Sequence, residues 1–241
     1  MKKISSGISG FDQILGGGLP KNRSILITGS TGTGKSIFST QFLYKGALLG
    51  EPGVLVTLEE RPRTIRENML QFGWDLKELE KQKLFAIIDA SAARVGIPTD
   101  ETYVEMRPFE LDGLLETIKK VISEIYAERL VVDSLNAIAL QYDTEFTMRR
   151  ELLRFISIIE DFGCTALFTT ETEPQTRSLS KHGIEEYIVS GVVQLLLREK
   201  GGKLRRSLLI HKMRGVGHSL KRHPFEITNE GIVVYPEEEV Y

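Results

Sequence analysis

The sequence predicts an α/β fold in which a mostly parallel β-sheet is flanked by helices and ends in a C-terminal antiparallel hairpin. Short apolar runs that are rich in β-branched residues and lack polar alternation, such as residues 24–28, alternate with longer segments of helical period. The clearest helical segment covers residues 111–125, where apolar residues recur every three or four positions. Near the end of the chain two apolar runs flank Gly201-Gly202, a pair typical of a tight hairpin turn.

Each predicted strand is an apolar run of the length expected for a buried strand. In chain order the predicted strands cover residues 24–28, 54–58, 84–88, 130–132 and 166–170, followed by hairpin strands at 192–198 and 204–212. The predicted helices cover residues 35–49, about 64–72, 111–125 and a segment whose apolar face is Met148, Leu152, Phe155 and Ile159. No repeat or low-complexity linker interrupts this alternation, so we expect residues 1–241 to form a single domain.

Composition excludes several classes of protein. The chain has 241 residues, of which 41% are apolar and 27% charged, and these proportions exclude a disordered or collagen-like chain. A net charge of −2 gives no global positive field that would favour nucleic acid or a membrane surface. The single cysteine, Cys164, opens an apolar run and is expected in the core. Because the chain has neither a membrane-length apolar run nor a signal-peptide pattern, we expect a cytoplasmic protein without membrane contact.

The strongest chemical signal is a glycine-rich segment of the form G-x-x-x-x-G-K-[ST], between a predicted strand and a predicted helix. Its residues are Gly29, Ser30, Thr31, Gly32, Thr33, Gly34, Lys35 and Ser36. Glycines let the backbone wrap around an anion and aim successive N–H groups at phosphate oxygens. Lys35 is expected to reach the β- and γ-phosphates of a nucleotide, and the Ser36 hydroxyl to ligate Mg²⁺. The segment therefore predicts a P-loop that binds a nucleoside triphosphate, with ATP and Mg²⁺ as the expected ligands.

Two further acidic positions follow apolar strands. Asp133 ends the run at 130–132 and is a candidate for the second metal ligand, while Glu59 and Glu60 follow the run at 54–58. Since the carboxyl ends of parallel strands share one edge of a sheet, these carboxylates are expected near the P-loop. A carboxylate there could orient and partly deprotonate a water. Adjacent residues on a strand point to opposite faces, so we expect only one base and choose Glu59. The alternative is that these carboxylates are a loop cap and solvated strand ends.

Together with the P-loop, several segments resemble the KaiC family within the RecA-like ATPases, over nearly the whole chain. The matching segments are residues 7–20, 41–44, 72–76, 141–143, 149–152, 187–193 and 212–215. The resemblance implies a RecA-like core assembled as a homo-oligomeric ring, expected to be a hexamer, with ATP at each subunit boundary. It also implies a catalytic pair at Glu59-Glu60. By the same resemblance Lys212 and Arg214 reach the neighbouring subunit's nucleotide, with His218 near its sugar or base.

The resemblance stops short of the circadian clock. The clock proteins carry two such domains in tandem, and where the second domain has a phosphorylated Ser-Thr pair this sequence has Glu186-Tyr187. We therefore expect a single-domain ATPase that hydrolyses MgATP slowly in a ring, with a regulatory or signalling role and an unidentified downstream protein partner.

Charge is distributed unevenly along the chain. Residues 198–223 carry nine Lys and Arg against one acid, whereas residues 100–116 carry six acids against Arg107. Opposite surfaces of opposite charge suit head-to-tail association, which is how rings close. The alternative to such a contact is that residues 198–223 form an ordinary hairpin whose charges face solvent. Nucleic-acid binding is possible but not favoured, because residues 198–223 lack aromatic side chains for base stacking.

Two other classes of function stay open at this point: a DNA-handling recombinase or translocase, and an ATP-sensing scaffold that does not hydrolyse. Residues 172–183, rich in Ser, Thr and charge, predict a mobile loop at the active edge of the sheet, a position where RecA-like recombinases contact DNA. A metal site built from His211, His218 and His223 is disfavoured, because no cysteine and only distant carboxylates accompany them. Trp74 is expected to be a packing residue.

Overall fold

The computed structural model describes residues 1–91, 99–105, 111–172, 179–181 and 183–240. The chain opens with a small antiparallel pair, β1 (Lys3–Ile4) and β2 (Leu19–Pro20), with the short helix α1 (Phe11–Ile14) between them. The elements that follow are β3 (Ser24–Gly29), α2 (Lys35–Leu48), β4 (Gly53–Thr57), α3 (Pro62–Leu70), α4 (Leu76–Lys81), β5 (Phe85–Asp89) and β6 (Tyr103–Val104). Next come α5 (Leu111–Ile125), β7 (Arg129–Asp133), α6 (Leu135–Ala139), α7 (Glu145–Asp161), β8 (Thr165–Glu171) and α8 (Glu185–Ile188). The chain ends with β9 (Gly191–Lys200), β10 (Lys203–Met213), β11 (His223–Thr228) and β12 (Gly231–Val234).

Ten of these strands form one sheet within the described residues, in the order β12-β11-β10-β9-β3-β8-β7-β4-β5-β6. The strands from β9 through β3 to β6 pair in parallel, and β9, β10, β11 and β12 pair in antiparallel fashion. The predicted α/β class and the C-terminal hairpin are therefore confirmed. The hairpin continues into β11 and β12, two strands that were not predicted from the sequence. Pro224 and Glu226 interrupt the apolar pattern of β11, and β12 has only four residues.

Helices cover both faces of the sheet. One apolar cluster packs α5, α6 and α7 against one face, and the other packs α1, α2, α3 and α4 against the opposite face. All six residues of β3 are buried, which explains why this strand has no polar alternation. Predicted strand boundaries differ from the observed ones by one or two residues at most ends.

Two packing predictions are confirmed. Cys164 is buried, its Sγ lies 3.1 Å from the Ala127 carbonyl oxygen, and burial raises its pKa to about 12, so it is a core thiol and not a nucleophile. Trp74 is buried between the rings of Tyr44 and Phe72 at centroid distances of 5.3 and 4.9 Å. Among the described residues, no helix has the length and apolar character needed to cross a membrane.

Candidate nucleotide-binding site

The P-loop lies at the carboxyl end of β3, in the centre of the sheet, and leads directly into α2. Gly34 caps α2 with φ of +102° and Gly32 has φ of +80°, backbone angles that side chains with a Cβ rarely adopt. A Cβ on Gly29 would lie 2.4 Å from the Leu195 carbonyl oxygen, so β9 packs too close for any larger residue. A Cβ on Gly32 would meet nothing within 4 Å, so the loop is open on that side.

Lys35 is buried at the first position of α2. Its ammonium donates to the carbonyl oxygens of Gly29 at 2.9 Å and Ser30 at 3.1 Å, and it lies 3.7 Å from Glu171 Oε1. Burial lowers the pKa of Lys35, and the charges of Glu171, Asp133 and Glu59 oppose that shift. The Lys35 ammonium therefore lies near three carboxylates at the end of the loop, in position to contact an anionic ligand bound there.

Three strand ends bring these carboxylates to the same edge. β4, β7 and β8 lie beside one another in the sheet, with Thr57 opposite Asp133 and the Leu58 N–H donating to the Asp133 carbonyl oxygen at 2.9 Å. The Thr169 hydroxyl donates to Asp133 Oδ1, which fixes the side chain that we proposed as a metal ligand. Ser36 is the half-buried second residue of α2. A hydroxyl and a carboxylate are hard oxygen donors of the kind that Mg²⁺ accepts, so this donor set fits the ion.

Glu59 and Glu60 lie just beyond β4 in different surroundings. Glu59 is exposed and adds to the negative field at Lys35. Glu60 is half-buried and its Oε1 accepts a 2.9 Å hydrogen bond from Asn68 Nδ2. Burial, followed by the charge of Asp133, raises the pKa of Glu60. Both residues therefore interact with groups of the site, and the choice of Glu59 as base stays a prediction.

Two further residues at this edge, Glu171 and Arg206, were not predicted from the sequence. Glu171 ends β8 beside Lys35, and its Oε1 also accepts from the Thr31 hydroxyl at 3.2 Å. Arg206 on β10 donates through Nη2 to the Gly32 carbonyl oxygen at 3.3 Å. The signal for Glu171 was present, since it is a carboxylate that ends a buried parallel strand, as Asp133 does. Arg206 gave no local signal, because it lies 174 residues from Gly32 in the chain.

Lys212, Arg214 and His218 lie elsewhere. Lys212 pairs with Val192 and Met213 with Gly191, whereas the P-loop end of β3 is level with Leu195. Lys212 donates to the Glu186 carbonyl oxygen at 2.6 Å, and Arg214 Nη2 lies 3.5 Å from that of Tyr187. Burial, and next the charge of Arg214, lowers the pKa of Lys212. These two cations line a cavity of 740 Å³ with Leu179, Gly183, Glu186, Tyr187, Val192 and His211.

His218 lines a separate cavity of 470 Å³ near α1, beside Gly16, Lys221 and His223. Its Nδ1 lies 3.1 Å from the Ser219 carbonyl oxygen. The predicted site residues thus form one group at the P-loop and a second group with Lys212 and Arg214, and His218 lies apart from both. Of the loop predicted at 172–183, residues 173–178 and 182 lie outside the described residues. The described part of the chain contains no group of three His, Cys, Asp or Glu side chains arranged for a metal ion.

A buried parallel strand, a glycine loop with a buried lysine and a following helix define the class of this protein as a P-loop NTPase. The sequence profile of the KaiC ATPase family matches residues 4–239, and the chain belongs to that family. This membership supports ATP binding.

Individual relatives agree with this assignment. A UPF0273 protein of Methanocaldococcus jannaschii is 46% identical over 239 residues, covering 98% of each chain. The circadian clock oscillator protein KaiC of Synechococcus elongatus is 40% identical over 235 residues, which are 97% of this chain but 44% of the clock protein. The crystal structure of a KaiC-like protein from Pyrococcus horikoshii has a TM-score of 0.86, 46% identity and coverage of 98% of this chain and 99% of that one.

Proposed function

We propose that this protein, folded as a single domain over residues 1–241, slowly hydrolyses MgATP at the boundaries between subunits of a homo-oligomeric ring, with six subunits and a regulatory or signalling role. In this proposal one subunit supplies the P-loop and its carboxylates. The next subunit supplies Lys212 and Arg214, with His218 near the sugar or base.

The observation that carries the proposal is the separation of the two groups along the sheet. Lys212 is level with Val192, three residues from the level of the P-loop at Leu195, and Arg214 lies two residues further. At a rise of about 3.3 Å per residue these offsets amount to about 10 and 16 Å. Both side chains contact carbonyl oxygens of α8, the helix that precedes β9: Lys212 that of Glu186 and Arg214 that of Tyr187. Both side chains are therefore held away from their own P-loop, which supports the proposal that they serve the nucleotide of a neighbouring subunit.

Within one subunit the described contacts suggest a division of labour. Lys35 and the loop N–H groups would bind the β- and γ-phosphates, and Ser36 and Asp133 would hold Mg²⁺. Bound Mg²⁺ would supply positive charge that offsets the charge on the phosphate oxygens. Glu59, exposed at the same edge, would orient a water and accept its proton. From the next subunit, a guanidinium at Arg214 would stabilise the charge of the transferring phosphoryl group more than that of bound ATP.

The ends of the sheet also favour head-to-tail contact. Strands β12, β11, β10 and β9 form one end of the sheet. Arg198 on β9, Arg205 on β10 and Arg222, directly before β11, are in no ion pair with another described residue. Strands β5 and β6 form the other end, where Asp100 is exposed; Asp112 on α5 is also exposed and is paired with Arg154. Contact between these ends would bring opposite charges together around a closed ring.

The test is a mixture of two inactive variants. Lys35→Ala removes the lysine of the P-loop and should weaken ATP binding by at least ~10-fold, while Arg214→Ala removes the cation offered to the neighbour. Mixed rings contain boundaries where an intact P-loop faces an intact Arg214, so ATP turnover should partly return. Lys45→Ala, at the last turn of the same α2, is the matched lysine control and should bind ATP normally.

Subunit exchange must first be demonstrated by native mass spectrometry of subunits of unequal mass. Given exchange, a mixture that stays inactive contradicts action between subunits. Oligomer mass and phosphate release measured with and without DNA separate the rival functions. Turnover stimulated by DNA would favour a recombinase or translocase, and a ring that holds ATP without releasing phosphate would favour a scaffold.

A further inference from the structure

Glu185 is a fully buried carboxylate that the division of labour above does not use. It is the first residue of α8, and its two oxygens have different donors. The Thr170 hydroxyl lies 3.3 Å from Oε1, and the Ile184 N–H donates to Oε2 at 3.2 Å. Burying a carboxylate this deeply costs free energy of desolvation unless both of its oxygens accept hydrogen bonds. Glu185 accepts one on each oxygen, which indicates that its role is to hold its donors in place.

The partner of Glu185 on the sheet is itself bound on its other side. The Thr170 hydroxyl lies 2.9 Å from Asn136 Oδ1 on α6. A hydroxyl carries one proton, and an Asn side chain turned by 180° presents its NH₂ group, so Asn136 can donate to Thr170 while Thr170 donates to Glu185. This buried chain of three side chains ties α8 to the end of β8.

Helix α8 has only four residues, and within the described part of the chain no side chain caps its N-terminus. Besides the bonds of Glu185, it is held by the apolar packing of Ile184, Ile188 and Val189 and by the hydrogen bond that the Ser180 hydroxyl donates to Glu186. Its backbone nevertheless holds the two cations of the second group, because the carbonyl oxygens that bind Lys212 and Arg214 belong to Glu186 and Tyr187. The residue that fixes α8 therefore precedes directly the two residues that orient the cations.

We propose that Glu185 is a positioning residue: through Thr170 it fixes α8, and α8 holds Lys212 and Arg214 in the geometry that the neighbouring subunit's nucleotide requires. This inference rests on the proposed function. It assigns Glu185 to the neighbour's site and not to the site of its own subunit, although Thr170 lies between Thr169 and Glu171, which contact Asp133 and Lys35.

Glu185→Gln tests the assignment with almost no change of shape. The amide of Gln has one acceptor oxygen and one NH₂ donor, whereas both oxygens of Glu185 accept. The NH₂ group would therefore face one of the two present donors, the Thr170 hydroxyl or the Ile184 N–H, and that hydrogen bond would be lost. We expect turnover to fall about 10- to 100-fold while the affinity for ATP is unchanged, since small displacements of reacting groups cost that much. Thr170→Val should lower turnover in the same way and is the gentler variant if Glu185→Gln folds poorly. Thr165→Val is the matched control, because it removes another buried hydroxyl from β8, one bonded to the Asn22 N–H at 3.0 Å, and turnover should stay normal.

Mixtures decide on which site Glu185 acts. With Lys35→Ala, which keeps an intact Glu185 and Arg214, Glu185→Gln subunits should regain turnover. With Arg214→Ala they should not, because neither variant offers a well-placed cation. Rescue by Arg214→Ala without rescue by Lys35→Ala would overturn the inference, as would normal turnover in both Glu185→Gln and Thr170→Val. If Lys35→Ala and Arg214→Ala fail to rescue each other, the proposed function fails first. If they succeed and only the Glu185 pattern differs, this inference alone is wrong.

Discussion

Glu59 and Glu60 show how neighbouring residues of one type acquire different properties at the end of a strand. Glu59 is exposed and acts on Lys35 through its charge. Glu60 is half-buried and bound to Asn68, and burial, followed by the charge of Asp133, raises its pKa. A base that accepts a proton from water must be accessible to that water, which favours the exposed Glu59.

Glu59→Gln should therefore bind ATP normally and lose turnover by ~10²-fold or more, since an amide keeps the shape but cannot accept a proton. Phosphate release and calorimetric ATP binding, measured side by side, check this. Glu60→Gln is the matched variant and should retain more activity. The reverse order would show that our choice between the two glutamates is wrong.

The raised pKa of Glu60 also predicts how stability depends on pH. The folded protein holds this proton more tightly than the unfolded chain does, so the contribution of Glu60 to the free energy of unfolding falls as pH rises upward from the usual pKa of 4.5. Glu60→Gln should therefore stabilise the protein near about pH 7 and lose that advantage near about pH 4.

Denaturant unfolding of Glu60→Gln at the two pH values measures this difference. Glu78→Gln on α4 is a control of opposite sign, because hydrogen bonds from Gln82 and Lys81 lower the pKa of Glu78. Its substitution should remove a favourable contribution that is present above pH 4.5. An equal pH dependence in wild type and Glu60→Gln would contradict the assigned shift.

At the scale of elements, α2 combines a binding site at its start with a tightly packed middle. Its residue Gly46 faces Arg129 on β7, a fully buried arginine whose Nη1 donates to the Phe42 carbonyl oxygen at 2.6 Å and whose Nε donates to Glu51 at 2.9 Å. A Cβ on Gly46 would lie 2.1 Å from that Nε. Ser39 is also buried, and its hydroxyl has no hydrogen-bond partner among the described residues.

Two alanine substitutions in α2 should therefore have opposite effects. Gly46→Ala gains about 1 kcal/mol of helix propensity but displaces a buried ion pair, and overpacking of about 1–3 kcal/mol outweighs the gain. Ser39→Ala removes an unsatisfied hydroxyl and should stabilise the protein by about 1 kcal/mol. Urea midpoints of the two variants check the signs, and a stabilised Gly46→Ala would mean that Arg129 can move aside without cost.

For the whole molecule, the two ends of the sheet differ in charge. At the basic end the arginines also repel one another, since burial and then Arg198 lower the pKa of Arg222. Anions would relieve that repulsion, and in the proposed ring the neighbour's acidic end would supply them.

Ring assembly should accordingly weaken with salt. Raising the ionic strength from about 0.1 to 1 M shortens the Debye length from about 10 to 3 Å, and the dissociation constant of the oligomer should rise by ~10-fold or more. Sedimentation at both salt concentrations measures it. The double variant Arg198→Glu/Arg205→Glu should show the same weakening at about 0.1 M salt, and an oligomer indifferent to both changes would exclude charge as the contact.

The sequence by itself determined the features that depend on neighbours in the chain. The apolar run of β3, the glycines of the P-loop and the helical period of α5 are local patterns, so the α/β class, the hairpin and the phosphate-binding segment could be predicted from them. Asp133 could be named as a candidate for the same reason, since a carboxylate that directly follows a buried parallel strand lies at the carboxyl edge of the sheet.

Only the tertiary structure decided which distant groups meet. Arg206 touches Gly32 across 174 residues, Glu171 joins Lys35 from another strand, and Glu185 is bound through Thr170. The strands β11 and β12 are likewise recognised only from their pairing, β11 with β10 and β12 with β11. Such contacts follow from strand order and register, which are fixed by how the apolar faces of all the elements pack together. No short window of sequence contains that information.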